Sequence, residues 1–429
     1  MRLHAWAWLA LSSLPLFPVA GATRPRYGGT VTVELSSASS APIAPLVEET
    51  LVRLNEKGEI EPLLATAWQR DQDRKRWRFS LRPKVLFHDG EPLNAATAAP
   101  PLVAALKKKY GDVTVTAGGQ TIVLQFDHAV SDLLSELANP RMAIFRTSDK
   151  GSPIGTGPFR VSTWEPGRKI ILAAFEDYWA GRPFLDSVIV NLGTTRAVGD
   201  IFDIPFSQTR RVLPEHIRIW ESPVHELIAL VSDNVQPAEW QALALAIDRA
   251  PIVNVLAQRK AEAGLGLLPQ WLSGYAFLFA AAPDVGRAKQ LTSQLHLASL
   301  GLSYPPNDGF ARSIAERVAL NARDAGILLQ PTPNPAGALK IVRWTLESDD
   351  AAAELNRIGV LLGLPERALN AARPQELYEA ERGMLDAHRV IPILFLPDVY
   401  GIAPRVHNWD AAQKGGGFSL HLENIWVEP

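Results

Sequence analysis

The sequence predicts an α/β protein of two lobes with mixed sheets and an extra α+β block attached to the first lobe. Three observations lead there. The chain has 429 residues, too many for one compact core when a domain takes roughly 150. Residues 50–149 carry hairpin-forming strands and an Ala-rich helical stretch, a self-contained α+β unit. From about residue 226 to 397, helical patterns alternate with short apolar strands, as in an α/β lobe.

Each element has a local reason. Thr30, Val31, Thr32, Val33 and Glu34 form a short strand that runs into a small-residue loop over 36–45. Leu46, Val47, Leu51, Val52 and Leu54 recur at helical spacing and predict a helix over 43–54. Trp77, Phe79 and Leu81 alternate with Arg78, Ser80 and Arg82, so a strand buries the aromatics and leaves the basic residues in water. Asp89-Gly90 then turns the chain. A helix over 95–108 precedes a hairpin, 113–116 against 121–126, joined at Gly118-Gly119.

A second hairpin follows. Gly155 and Gly157 allow a tight backbone path before Pro158, and Phe159, Val161 and Thr163 alternate with Arg160, Ser162 and Trp164. Glu165-Pro166-Gly167-Arg168 has Pro and Gly where a type II turn wants them, and 169–175 returns as the partner strand. Strand pieces at 188–191 and 203–204 complete this half. Helices are predicted over 237–249 and 251–258, each with an early Pro whose missing N–H is harmless there. Further helices fall at 284–297, 308–325 and 375–388, and strands at 327–329, 338–344 and 390–396. The tail, 400–429, places Asn408-Trp409 and Asn424-Ile425-Trp426 in loop-like context.

Composition narrows the function. With 43 basic and 45 acidic residues the formal charge is −2, so no overall field recruits nucleic acid or an anionic membrane. There is no cysteine, hence no disulfide, no thiolate metal site, no thiol nucleophile and no cysteine for a lipid anchor. Residues 1–22 show a basic start at Arg2, a short apolar run and small residues at Ala20 and Ala22, the pattern of a secretory signal cleaved after Ala22. The nine histidines include no HExxH and no pair at ligand spacing. His88 reads as a turn residue bonding its own backbone, and His388 as a helix-end residue suited to the terminal carbonyls. The glycines of 155–157 lack a following Lys-Ser/Thr and cradle no phosphate. No nucleophile elbow is present, so a secreted hydrolase has no visible carrier and no cofactor or metal is expected.

Two segments carry a family likeness. Residues 153–186, with Gly155-Thr156-Gly157-Pro158-Phe159, Trp164-Glu165-Pro166-Gly167, Tyr178-Trp179 and Asp186, and residues 60–93, with Leu64-Ala65, Trp68, Leu81-Arg82 and Phe87-His88-Asp89-Gly90, resemble the extracellular solute-binding proteins of family 5. These are the oligopeptide-, dipeptide- and nickel-binding proteins of ATP-driven (ABC) importers. Further matches lie at 244–249, 314–326 and 377–392. The sequence departs at 95–98, Ala-Ala-Thr-Ala where the family has A-x-D-V, and the chain is short for the family.

The resemblance implies a two-lobed periplasmic-binding-protein (Venus-flytrap) fold: a discontinuous first lobe of 23–49, 150–225 and 398–429, an extra subdomain of 50–149, and a second lobe of 226–397. It implies a monomer without cofactor that closes over a small ligand, a peptide foremost, and meets the importer's permease in the periplasm. Residues 343–347 occupy the place of the peptide binders' W-x-A-D, so Glu347 is the candidate carboxylate for a ligand amine. The alternative reading makes it a helix-start residue. Trp344 is a candidate wall residue or core, and Arg343 a candidate for a ligand carboxylate or a surface ion pair. Trp271 and Tyr275 are further candidates, with Leu35 and Ser36, whose backbone can pair with an extended peptide. Rival readings keep the fold with another ligand (nickel chelate, haem or sugar), or make the chain a sensor or non-transport paralogue.

Overall fold

The computed structural model describes residues 24–55, 59–130, 133–194, 198–206, 213, 215–232, 235–274, 282–346, 350–365, 369, 373–412 and 420–428. The signal segment 1–22 lies outside the described residues.

A seven-stranded mixed sheet runs in the order Phe159–Glu165, Lys169–Ala174, Ser187–Asn191, Thr30–Glu34, Ile201–Asp203, Val399–Ile402 and Arg218–Glu221. Thr30–Glu34 is parallel to both of its neighbours, and the other pairings are antiparallel. Alternation sets one face: Val31, Val33, Ile170, Leu172, Val188 and Val190 are buried in one core with Trp409 and Val427 from the tail. The expected hairpin is present, Phe159 opposite Ala174 and Glu165 opposite Lys169, with Gly167 at φ +70° in its turn. The tail is more ordered than its composition suggests. Val399–Ile402 is a strand of the sheet, Trp426–Val427 pairs with Val406–His407, and both Trp409 and Trp426 are buried.

Beside this sheet lies an antiparallel four-stranded one, Ala65–Arg70, Arg76–Leu81, Thr121–Phe126 and Val113–Gly118. Trp77, Phe79 and Leu81 point into its core, and the residues between them are exposed. Helix Ala95–Tyr110 covers that core with Ala95, Ala98, Leu102 and Leu106. Its N-terminus is closed by a capping box in which Asn94 accepts from Thr97 N–H and Thr97 Oγ1 accepts from Asn94 N–H.

A six-stranded sheet holds Glu262–Ala263, Val390–Leu396, Glu226–Val231, Leu339–Thr345, Leu300–Ser303 and Leu329–Thr332, in that order. Helices Pro237–Ala246 and Gly309–Asp324 pack on one face and Ala351–Leu361 and Pro374–Asp386 on the other, so the sheet separates two cores. A strand buried on both faces has no need to alternate. Val390–Leu396 is accordingly apolar at every position and buried throughout.

Two expectations fail for identifiable reasons. Residues 43–54 are not one helix: a 3-10 helix spans Ala41–Leu46, and Val52–Leu54 is a strand paired with Ile60–Pro62. The intervening carbonyls go elsewhere, Val47 O to Gly157 N–H and Glu49 O to Ile144 N–H, which withdraws them from a helical ladder. Residues 251–258 form a π-helical turn, Ile252–Leu256, after a single α-turn, and Gln258 and Arg259 follow at positive φ.

The two large sheets are joined by two adjacent segments. Glu221 pairs with Val399 on one side and Glu226 with Leu396 on the other. Between them Ser222 N–H donates to Asp398 O at 3.0 Å, Asp398 N–H to Ser222 Oγ at 2.8 Å and His225 N–H to Leu396 O at 2.9 Å. The result is one antiparallel ribbon running from sheet to sheet, narrow enough to act as a hinge.

Candidate ligand site at the crossing

Charged side chains gather where this ribbon passes between the sheets. His225 is buried, its Nε2 is 3.2 Å from an Asp398 carboxylate oxygen, and its Nδ1 is 3.1 Å from Pro223 O. Burial works against its charge, but the Asp398 carboxylate and the Pro223 carbonyl raise its pKa above the ordinary imidazole value. Arg343 is forked between two acids, Nη1 to Glu226 Oε2 and Nε to Asp308 Oδ2, both at 2.6 Å. Asp308 divides its oxygens, Oδ1 capping helix Gly309–Asp324 through Phe310 and Ala311 N–H and Oδ2 holding Arg343.

Strand register places Asp203, Tyr400 and Trp220 directly across from one another on three adjacent strands, hence on one face. Ser36 reaches Asp203 through its N–H, at 2.9 Å and 3.0 Å to the two carboxylate oxygens, and through its hydroxyl at 2.5 Å. Burial pushes the Asp203 carboxyl up to about 6 against the Ser36 hydrogen bonds, and the Asp398 charge adds to the rise. Burial likewise raises Glu226, which Arg343 opposes. Four carboxylates, Asp203, Glu226, Asp308 and Asp398, thus stand with one guanidinium and one imidazole. The crossing carries an excess of negative charge in poorly solvated surroundings, which favours a cationic group.

The sequence-predicted residues distribute around this place. Arg343 is at its centre. Trp344 lies opposite Leu227 and its neighbour Arg343 opposite Ile228, so the two point to opposite faces of the strand. Trp271 is 44% exposed, and its indole N–H donates to Val224 O at 2.8 Å, which ties it to the crossing segment. Ser36 joins the cluster through Asp203. Leu35 is core, and its N–H and C=O are taken by Asn191 and Thr194. Glu347 and Tyr275 lie outside the described residues. The sequence reading missed Asp203, His225, Glu226, Asp308, Asp398 and Tyr400. The one local signal was an acid two residues after an all-apolar strand, Asp398 following Val390–Leu396.

The family-signature segments form a separate structural lock. Glu49, in the unexpected non-helical stretch, is 5% exposed and accepts from Thr156 Oγ1 at 2.7 Å, Tyr178 OH at 2.9 Å and Trp179 Nε1 at 2.9 Å. His88 bonds across to the glycine loop instead of its own turn: Gly155 N–H donates to Nδ1 at 3.3 Å, and Nε2 lies 3.0 Å from Gly157 O. That pairing fits the neutral tautomer protonated at Nε2, and burial pushes the imidazole down to about 4. Neighbouring Glu48 has its carboxyl pushed up to about 7 by burial alone. A raised folded-state pKa contributes stability that is present below the unfolded value and lost as pH rises through 7. Glu48→Gln is therefore expected to stabilise the protein at pH 8 by about 1–2 kcal/mol and to leave it unchanged at pH 4, measured by thermal unfolding at both pH values.

The architecture is that of the two-lobed periplasmic binding proteins. Residues 59–198 match the middle-region model of the bacterial extracellular solute-binding proteins of family 5. It is 35% identical over 152 residues to the nickel-binding protein NikA of Staphylococcus aureus, covering 33% of this chain and 31% of that one. It is 28% identical over 243 residues to the nickel-binding periplasmic protein of Escherichia coli, covering 50% of this chain and 45% of that one. These matches span less than half the length of either relative. Among solved structures, the oligopeptide-binding protein AppA of Bacillus subtilis, in complex with a nonapeptide, superposes with a TM-score of 0.76 at 16% identity over 95% of this chain and 100% of that one.

Proposed function

We propose that this chain is an exported substrate-binding protein that takes a peptide-like solute between its lobes and delivers it to the permease of an ABC importer. The carrying observation is the excess of carboxylates at the crossing, where a ligand ammonium group would meet Asp203, Asp398 and Glu226 in low-dielectric surroundings. A charge-assisted hydrogen bond there is about twice as strong as a neutral one. Glu347, Trp271 and Tyr275 are proposed as further wall residues, and the second lobe supplies Arg343 as the fixed cation that orders the acids. Ligand contacts made by both lobes favour the closed state, and the importer supplies the energy for transport. The protein acts as a periplasmic monomer whose leader ends near Ala22.

A second reading, capture of a metal chelate, is favoured by the similarity to two nickel-binding proteins. Among the described residues no group of three or more His, Asp or Glu side chains is placed to hold a metal ion. On this reading the metal would arrive with its own chelator.

Thermal unfolding with defined tripeptides separates the readings. Peptides with a free amino terminus are expected to raise the midpoint by several degrees at 100-fold excess over Kd, a stabilisation of about 2.7 kcal/mol, and their N-acetylated forms to do less. Glu347→Gln should weaken the free-amine peptides most. A midpoint that responds to nickel–histidine and to no peptide would replace the first reading by the second.

A further inference from the structure

We propose that Ser135 is a positioning residue for ligand capture, its hydroxyl tying the extra α+β block to the second lobe at the N-cap of helix Ala351–Leu361. The proposal rests on the reading that a solute is held between the lobes. Ser135 sits in helix Leu133–Ala138, and its Oγ donates to Asp350 Oδ2 at 3.0 Å across 215 residues of sequence. Asp350 uses its other oxygen, Oδ1, to cap the helix through Ala352 N–H at 2.8 Å and Ala353 N–H at 3.1 Å. One carboxylate thus starts a helix of the second lobe and receives a bond from the block.

The Ser135 side is firmly mounted. Leu133 and Leu137 are buried in the block's core, and the adjacent Glu136 is gripped by Lys109 Nζ at 2.7 Å and Arg141 Nε at 2.9 Å. The Asp350 side closely follows strand Leu339–Thr345, which carries Arg343 and Trp344. Two further interlobe contacts lie by the crossing: Phe206 packs on Phe310 at 5.5 Å between centroids, and Lys260 pairs with Glu221. Among the described residues no strand ladder joins the four-stranded and six-stranded sheets. The Ser135–Asp350 bond is thus a contact that the lobes make by coming together and lose by parting.

A chain without cysteine allows clean labelling. Cysteines introduced at exposed Lys108 and Arg382 would carry a donor–acceptor dye pair, one in the block and one in the second lobe, and single-molecule energy transfer would give the closed-to-open ratio with no solute added. Ser135→Ala is expected to lower that ratio about tenfold or more, the loss of one hydrogen bond to a charged acceptor. Ser135→Asp should lower it further by placing like charges together, and Ser135→Thr should restore it. Circular-dichroism melts of all three variants should stay close to the parent, since a residue that only held the block together would move the melt and not the ratio. A ratio unchanged in both Ser135→Ala and Ser135→Asp overturns the proposal. Because no solute is present, that outcome is independent of whether peptides bind, and a peptide-free result in the thermal assay would leave this measurement intact.

Discussion

Gly155→Ala is expected to prevent the protein from accumulating in folded form, with a loss of at least about 4 kcal/mol out of a total stability of about 5–15 kcal/mol. The reason is proximity, because Gly155 itself is not at positive φ. A methyl group there would lie 1.9 Å from Val47 O, 2.8 Å from Val47 C and 3.1 Å from Glu48 Cα, all backbone atoms that no rotamer change can move aside. Gly157 meets Leu46 O at 2.7 Å in the same way. Neither loop can retreat cheaply. Gly157 N–H is bonded to Val47 O, His88 N–H to Gly155 O, and Thr156 to Glu49, so backing off by even an ångström breaks the whole lock. Gly151→Ala supplies the control: it has open space around its Cβ position but φ +78°, and only the local cost of about 1 kcal/mol is expected. Soluble yield and thermal midpoint measure both. A Gly155→Ala protein melting within a few degrees of the parent would show that the two loops can separate.

Local physics made much of the fold readable and left the site opaque. The 159–165/169–174 hairpin, the Trp77–Phe79–Leu81 strand and helix Gly309–Asp324 with its Asp308 cap each declare themselves within a dozen residues, through alternation, a Pro-Gly turn or a capping side chain. Glu49 does not. It looked like part of a helix because Leu46, Val47 and Leu51 have helical spacing, yet its three donors come from residues more than a hundred positions away. Gly155 and Gly157 read locally as allowing a tight backbone path before Pro158, whereas both also let another backbone approach. His88 was placed correctly in a turn but bonds a distant loop. The crossing cluster is harder still, since Ser36, Asp203, Glu226, Asp308, Arg343 and Asp398 meet only after two sheets form and the ribbon joins them. Arg343, singled out by its sequence position, is ion-paired with two acids that are 117 and 35 residues away.

Glu49→Ala should cost about 3–5 kcal/mol, second only to the glycine change, because it strands the donors of Thr156, Tyr178 and Trp179 around a buried position. Glu49→Gln is the more informative variant. It keeps one acceptor oxygen but turns an amide NH2 toward groups that are themselves donors, so a loss of about 2 kcal/mol is expected. Its pH dependence has a definite sign. Burial pushes the Glu49 carboxyl up to about 7 against the three hydrogen bonds that hold it down, with the Glu423 charge adding to the rise. The folded state then binds a proton that the unfolded chain, titrating near 4.5, has released. The parent gains from this between pH 4.5 and 7, the gain being complete at the acid end and gone once pH passes 7. Glutamine cannot titrate, so the deficit of Glu49→Gln should be largest near pH 4.5 and shrink above pH 7. Thermal midpoints of parent and variant at pH 5 and pH 8 decide it. A deficit that grows toward pH 8 would mean that the three donors win over burial and hold Glu49 as a carboxylate, in which case the lock is an anion site and Glu49→Gln removes its charge.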